Sequence, residues 1–286
     1  MTPETKRTFK VAITLCFICS IVVSSLAYFL KDIQEDAKES FRQQSILSAA
    51  GLWTEGGDPG ELFKDNGVSP VGIDLEDYKP EGSDLSEAKF DMAKSLQNPE
   101  LSRELPSTED IAGLKKMEKY SVVYEVKNDK KVQTIVLPIR GKGLWSTLYG
   151  FVALDLSEMD KGPEHIKVAG LTYYKHGETP GLGGEVDNVR WKDKWRPKAK
   201  TEEHEASAIY PFDSDWKVIV EVTKSKTTDH QVDAISGATL TSNGVTNMLQ
   251  FWLGKNGFGP YIKNLASAGD SAPKAATASL TNVQHN

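Results

Sequence analysis

The sequence predicts an α+β protein: a single N-terminal transmembrane helix, then a domain with a mainly antiparallel twisted sheet flanked by helices. Three observations carry that expectation. Residues 11–30 form a run of twenty residues without a charge. Several short segments between residues 120 and 223 are rich in β-branched and aromatic residues, the composition of strands. Residues 242–253 repeat apolar side chains at helical spacing. Over the whole chain, 39% hydrophobic and 26% charged residues describe an ordinary globular protein, so the membrane run is the exception. A formal charge of -6 argues against a nucleic-acid partner, which requires a basic face. Two cysteines are too few for a disulfide scaffold.

At about 1.5 Å per residue, residues 11–30 reach about 30 Å, the thickness of the hydrocarbon core. Lys6, Arg7 and Lys10 precede the run, against one acid, Glu4. The positive-inside rule then leaves residues 1–10 in the cytoplasm and sends the rest across a bacterial inner membrane into the periplasm. Ser25-Leu26-Ala27 would serve a signal peptidase, but the apolar run continues through Tyr28, Phe29 and Leu30, so a retained anchor is expected. Residues 1–10 carry +2 and the remainder -8, which suits an exported acidic domain. Cys16 and Cys19 lie inside the anchor and read as small apolar residues there, leaving the outer part without a thiol.

Residues 31–52 contain no proline and place Ile33, Ala37 and Phe41 every four residues. That spacing predicts a juxtamembrane helix with a narrow apolar stripe, ending near Gly51. Gly, Pro and Asp enrichment predicts loops over 54–83, and helices follow at 84–97 and 107–117. Strands 120–127 and 132–140 flank the turn residues 128–131 as a hairpin. Further strands are expected at 149–156, 165–174 and 216–223. Residues 242–253 form a helix that turns Val245, Met248, Leu249, Trp252 and Leu253 inward, with Thr241 or Ser242 as N-cap and Gly254 as its end. The outer domain then spans 53–265, and low-complexity residues 266–286 form a disordered tail. Its core should draw on Val122, Val123, Ile135, Val136, Val152, Leu154, Val168, Val218, Val220, Met248, Leu249 and Trp252.

Most familiar chemical motifs are missing. No GxGxxG follows a strand, since Gly181, Gly183 and Gly184 fail its spacing, and there is no P-loop, HExxH or GxSxG. The five histidines show no metal-ligand spacing, so no metal site is expected. One short stretch, Asp233-Ala-Ile-Ser236-Gly237-Ala238-Thr239, has chemical promise. Ser236, Gly237 and Ala238 are small enough for a bulky group to approach the backbone. Thr239 presents a hydroxyl just before a helix, whose free N–H groups and dipole favour an anion. A plain turn and helix cap fits the same residues.

The DxxSGAT pattern at residues 233–239 resembles the acceptor sequence for covalent flavinylation. Two further segments match the same family: Gly143-Leu144-Trp145-Ser146 resembles its GLWS element, and Glu178-Thr179-Pro180-Gly181-Leu182-Gly183 its ETPGLG element. The family is NqrC, the C subunit of the sodium-translocating NADH:quinone reductase. The homologous G subunit of the related Rnf complex shares the motifs, but the long juxtamembrane helix and larger chain resemble NqrC more. The resemblance covers about residues 1–265. It implies FMN joined through its phosphate to Thr239 by a flavin transferase that reads a sequence beginning at Asp233. It also implies an electron-relay protein within a six-subunit membrane complex that oxidises NADH, reduces ubiquinone and exports Na⁺. The NADH, iron–sulfur and quinone sites would belong to other subunits, and no residue of this chain would be catalytic on its own. Beside a flavin, Leu182 and Trp145, with Leu144, supply flat apolar faces. Glu178, Thr179 and Ser146 supply hydrogen bonds at its edge, and Gly181 and Gly183 permit close backbone approach. A membrane-anchored interaction domain without cofactor is the rival reading, in which Thr239 stays unmodified.

Overall fold

The computed structural model describes residues 2–78, 92–128, 131–199 and 206–270. Five strands build the main sheet: β1 (Val68–Asp74), β4 (Tyr120–Asn128), β5 (Lys131–Lys142), β6 (Thr147–Asp155) and β7 (Lys167–Lys175). They are antiparallel throughout and ordered β1-β4-β5-β6-β7, with β5 at the centre. The run Ile135-Val136-Leu137-Pro138-Ile139 is apolar without interruption, as a strand covered on both faces requires. Successive side chains point to opposite faces. Ile135, Leu137 and Ile139 enter the larger core and Val136 the smaller one. Val152 and Leu154 likewise face the larger core, and Phe151 and Ala153 the smaller.

A helix covers each face. The long C-terminal helix Thr239–Leu253 buries Val245, Met248, Leu249 and Trp252 in the larger core. On the other face, α2 (Lys31–Ala50) inserts Ile46 and Ala49 among Tyr124, Val136, Phe151 and Ala153. Thr172 Oγ1 donates to the Ser45 carbonyl at 3.0 Å, and Arg196 donates to the Ser48 carbonyl at 2.8 Å. A side chain at Gly170 would put its Cβ 2.4 Å from the Ala49 carbonyl oxygen, so glycine lets the end of α2 lie on β7. Preceding α2, α1 (Pro3–Phe29) buries none of its residues and is long and apolar enough to cross a membrane. Leu30 joins the two helices. Its N–H donates to Leu26 and its carbonyl accepts from Gln34, both at 2.9 Å, so helical hydrogen bonding carries across the joint.

Several expectations need correction. The segment 54–83 is not simply loop. It holds α3 (Pro59–Asp65), capped by Asp58, and β1, whose Pro70 is tolerated because β1 is an edge strand. Of the expected helix 84–97, α4 (Met92–Gln97) is present, while residues 84–91 lie outside the described residues. Residues 107–117 are not helical. Asp110 accepts from the N–H groups of Leu114 and Lys115, each at 2.7 Å, and Gly113 and Lys115 take positive φ. That turn leads into β3 (Lys116–Glu118), which pairs with β2 (Ser102–Glu104). Only the end of 216–223 is a strand, β8 (Glu221–Thr223), because Trp216 at φ 64 closes a turn onto Asp213. β8 pairs in parallel with β9 (Gln231–Asp233), outside the main sheet. Val122 and Val218 are half-buried, while the other ten expected core residues are buried. The stripe Ile33, Ala37, Phe41 is exposed, and α2 packs only through its C-terminal end. After the four-residue helix α5 (Val189–Lys192), the helix that opens at Thr239 is α6. Residues 266–270 continue α7 (Gly259–Asp270), and 271–286 lie outside the described residues.

Candidate functional site

The three motifs meet at one end of the sheet. β5 runs directly into Gly143–Ser146, where the Gly143 N–H closes a tight turn on the Ser146 carbonyl at 2.8 Å. β7 ends just before His176 and the 178–183 segment. The Gly177 N–H donates to Ser146 Oγ at 2.7 Å, which ties these two loops together. α6 lies against the end of β5, since a Cβ on Gly244 would fall 2.3 Å from the Lys142 carbonyl oxygen.

α6 starts at Thr239, earlier than the sequence suggests, with Ala238 as N-cap and no side-chain cap. Each helical residue advances about 100°, so two residues turn about 200°. Thr239 is therefore exposed and Thr241 fully buried. The Ala238 carbonyl accepts the first helical bond from Ser242 at 2.9 Å. Gly237, at φ 72, makes the turn before the helix, a conformation that disfavours a side chain. A Cβ there would come 3.1 Å from Leu182 Cδ2, so the 236–239 turn rests against Leu182. Ser236 and Gly237 are exposed and Ala238 is buried.

Glu178 is the hub. It is 5% exposed, and its carboxyl group is occupied by the chain's own donors. Oε1 accepts from the N–H groups of Trp145 at 2.9 Å and Ser146 at 3.0 Å, with Ser146 Oγ at 3.4 Å. Oε2 accepts from the Leu144 N–H at 3.1 Å and from Thr241 Oγ1 at 2.7 Å. Burial acts to raise the Glu178 pKa, but the Thr241 hydroxyl and the three backbone donors outweigh it and hold the carboxyl below its usual range. The Glu178 N–H donates to His176 Nδ1 at 3.2 Å, so the His176 Nε2–H donates to Asp187 at 2.8 Å.

Trp145 is 70% exposed, which excludes core packing, and Leu144, Leu182 and Leu240 are 41%, 45% and 59% exposed. Thr179 and Gly181 are also exposed, and Gly183 is buried beside Glu178. Asp233 stands apart, at the end of β9. Burial favours its neutral form, but Lys194 at 3.3 Å and the Lys226 N–H hold its carboxyl below its usual value. Its carbonyl accepts from Trp191 Nε1 at 2.9 Å. Sequence reasoning missed the role of Thr241, because a helix expected to begin at 242 made Thr241 a candidate N-cap, whereas a helix that begins at Thr239 turns Thr241 inward. Among the described residues no group of three or more His, Cys, Asp and Glu could hold a metal.

These features suit a phosphate-bearing ligand with a flat apolar ring. An exposed hydroxyl stands at an uncapped helix N-terminus, and each of the three converging segments carries exposed apolar side chains. Residues 143–254 match the FMN-binding domain family. The Na(+)-translocating NADH-quinone reductase C subunit of Pseudomonas aeruginosa is 42% identical over 278 residues, covering 92% of this chain and 96% of that protein. Its counterpart in Pasteurella multocida is 38% identical over 263 residues, covering 90% and 93%. The crystal structure of Shewanella oneidensis NqrC superposes with a TM-score of 0.66 at 31% identity, covering 80% of this chain and 99% of that one.

Proposed function

The chain belongs to the NqrC family, the C subunits of the Na(+)-translocating NADH-quinone reductase, and on that premise we propose that its Thr239 hydroxyl carries FMN as a phosphoester. It is an FMN electron carrier of that complex. The flavin, when bound, accepts and passes on electrons. The residues of this chain hold it. The Thr239 oxygen forms the ester, and the first turn of α6 offers N–H groups and its positive end to the phosphate. Leu144, Trp145 and Leu182 give the ring apolar faces, with Ser236, Gly237 and Ala238 leaving it room. Ser146 and Thr179 would meet its edge, and the exposed Gly181 would let the backbone come close, while Gly183, expected to do the same, is buried against Glu178. A flavin transferase reads the sequence from Asp233 to Thr239.

In this reading α1 anchors the protein in the inner membrane, with residues 1–10 in the cytoplasm and the folded domain in the periplasm. The other members of a complex of six subunits hold the NADH, iron–sulfur and quinone sites, and the complex couples NADH oxidation and ubiquinone reduction to Na⁺ export. A covalent link suits this compartment, because dissociated FMN could not be replaced there.

The observation that carries the proposal is the exposed Thr239 hydroxyl at the uncapped start of α6, beside a turn that rests against the exposed Leu182. Co-expression with a flavin transferase should give a band that fluoresces under ultraviolet light on a denaturing gel, and an intact mass raised by FMN less one water. Thr239→Ala should abolish both. An unshifted wild-type mass, with the transferase active on a control substrate, overturns the proposal.

A further inference from the structure

Three consecutive N–H groups, of Leu144, Trp145 and Ser146, converge on the two oxygens of one group, an arrangement that binds anions. The anion they bind is part of the chain: the Glu178 carboxylate. Thr241 reaches the same carboxylate from α6 at 2.7 Å. Among the described residues the hydrogen-bond donors to this carboxylate are neutral, so its charge is solvated but not cancelled.

Two glycines make room for it. A Cβ at Gly143 would fall 2.6 Å from Glu178 Oε1. A Cβ at Gly183 would fall 2.6 Å from both Glu178 Oε2 and Thr241 Oγ1. The glycine that opens the first motif and the glycine that ends the second are thus fitted around this carboxylate. Those N–H groups are already spent, so they are not free to bind a ring or a phosphate.

We propose that Glu178 is the positioning residue of this site: its carboxylate fixes the 144–146 loop against the first turn of α6 before any cofactor arrives, and its uncancelled charge lowers the reduction potential of the flavin held there. The second half rests on the flavin reading above, while the first does not.

The test uses the full chain in detergent. Without flavin, hydrogen–deuterium exchange over residues 144–146 should quicken about tenfold in Glu178→Gln, the effect of weakening a hydrogen bond to a charged acceptor. Gly183→Ala keeps the charge but displaces the carboxylate, and should quicken the same amides. It also supplies this arm should Glu178→Gln fail to fold. After flavin attachment, redox titration should place the midpoint of Glu178→Gln above wild type, and that of Gly183→Ala closer to wild type. Unchanged exchange in the variants overturns the positioning role. An unchanged midpoint in Glu178→Gln overturns the electrostatic role. A wild-type chain that takes no flavin overturns the flavin reading and the electrostatic half with it, and leaves the exchange result to decide the rest.

Discussion

Glu118 and Glu178 are both buried carboxylates, yet their surroundings differ in kind. Glu118, in β3, meets Arg140 at 2.6 Å, and both side chains are 6% exposed. Arg140 also donates to the Lys116 carbonyl at 2.9 Å and lies over the Trp252 ring. Trp252 Nε1 in turn donates to the Arg140 carbonyl at 2.7 Å. There a full positive charge cancels the acid, and the pair is scaffold. At Glu178 only N–H and O–H dipoles face the acid among the described residues, so a net negative charge persists in the site. The same residue type at the same depth is thus neutralised by a cation in one place and held charged by neutral donors in the other.

The largest effect should come from the neutralised partner. Arg140→Ala strands Glu118 without its counter-charge and should lower unfolding stability by about 3–5 kcal/mol, read by denaturant titration. A loss under about 1 kcal/mol would show that the pair is less committed than its geometry implies. Next comes Glu178→Ala, expected to cost about 1–3 kcal/mol because the 144–146 N–H groups and the Thr241 hydroxyl lose their acceptor. The sign of its pH dependence follows from the carboxyl being held below its ordinary value of 4.5. Its contribution is complete above that value and fades as pH falls through the lower folded one. The stability gap between wild type and variant should therefore close on acidification below that value, and a gap that instead widens would contradict the charged hub. The smallest effect is expected at Lys194→Ala. Its ion pair with Asp233 is half exposed, at 41% and 45%, and should be worth under about 1 kcal/mol in unfolding.

The parts of the fold that were legible share one property: their patterns are dictated by burial. The hairpin of β4 and β5, the strands β6 and β7, and the inward face of α6 all carry apolar repeats that only the core explains. β1 was hidden because an edge strand tolerates Pro70 and Gly72, which read as loop. Residues 107–117 misled because their helical composition is overruled by the Asp110 side chain, which closes a turn through tertiary geometry. The site was legible as three short motifs, and the motifs do converge. The inward turn of Glu178 was not legible, since a surface carboxylate and a buried hub look alike in sequence. Only the distances to Leu144, Trp145, Ser146 and Thr241 distinguish them.

The junction at Leu30 has a kinetic consequence. With α1 in a bilayer, the stretch of α2 from Lys31 to Phe41, ahead of its packed end, becomes a stiff stalk about 16 Å long. A domain on such a stalk explores a thin shell above the membrane rather than the whole compartment. Encounter with a neighbour anchored in the same membrane then behaves as an intramolecular event, at an effective concentration set by the stalk rather than by expression level. Inserting one flexible loop at Leu30 would enlarge that shell and dilute the encounter without touching a residue of the site.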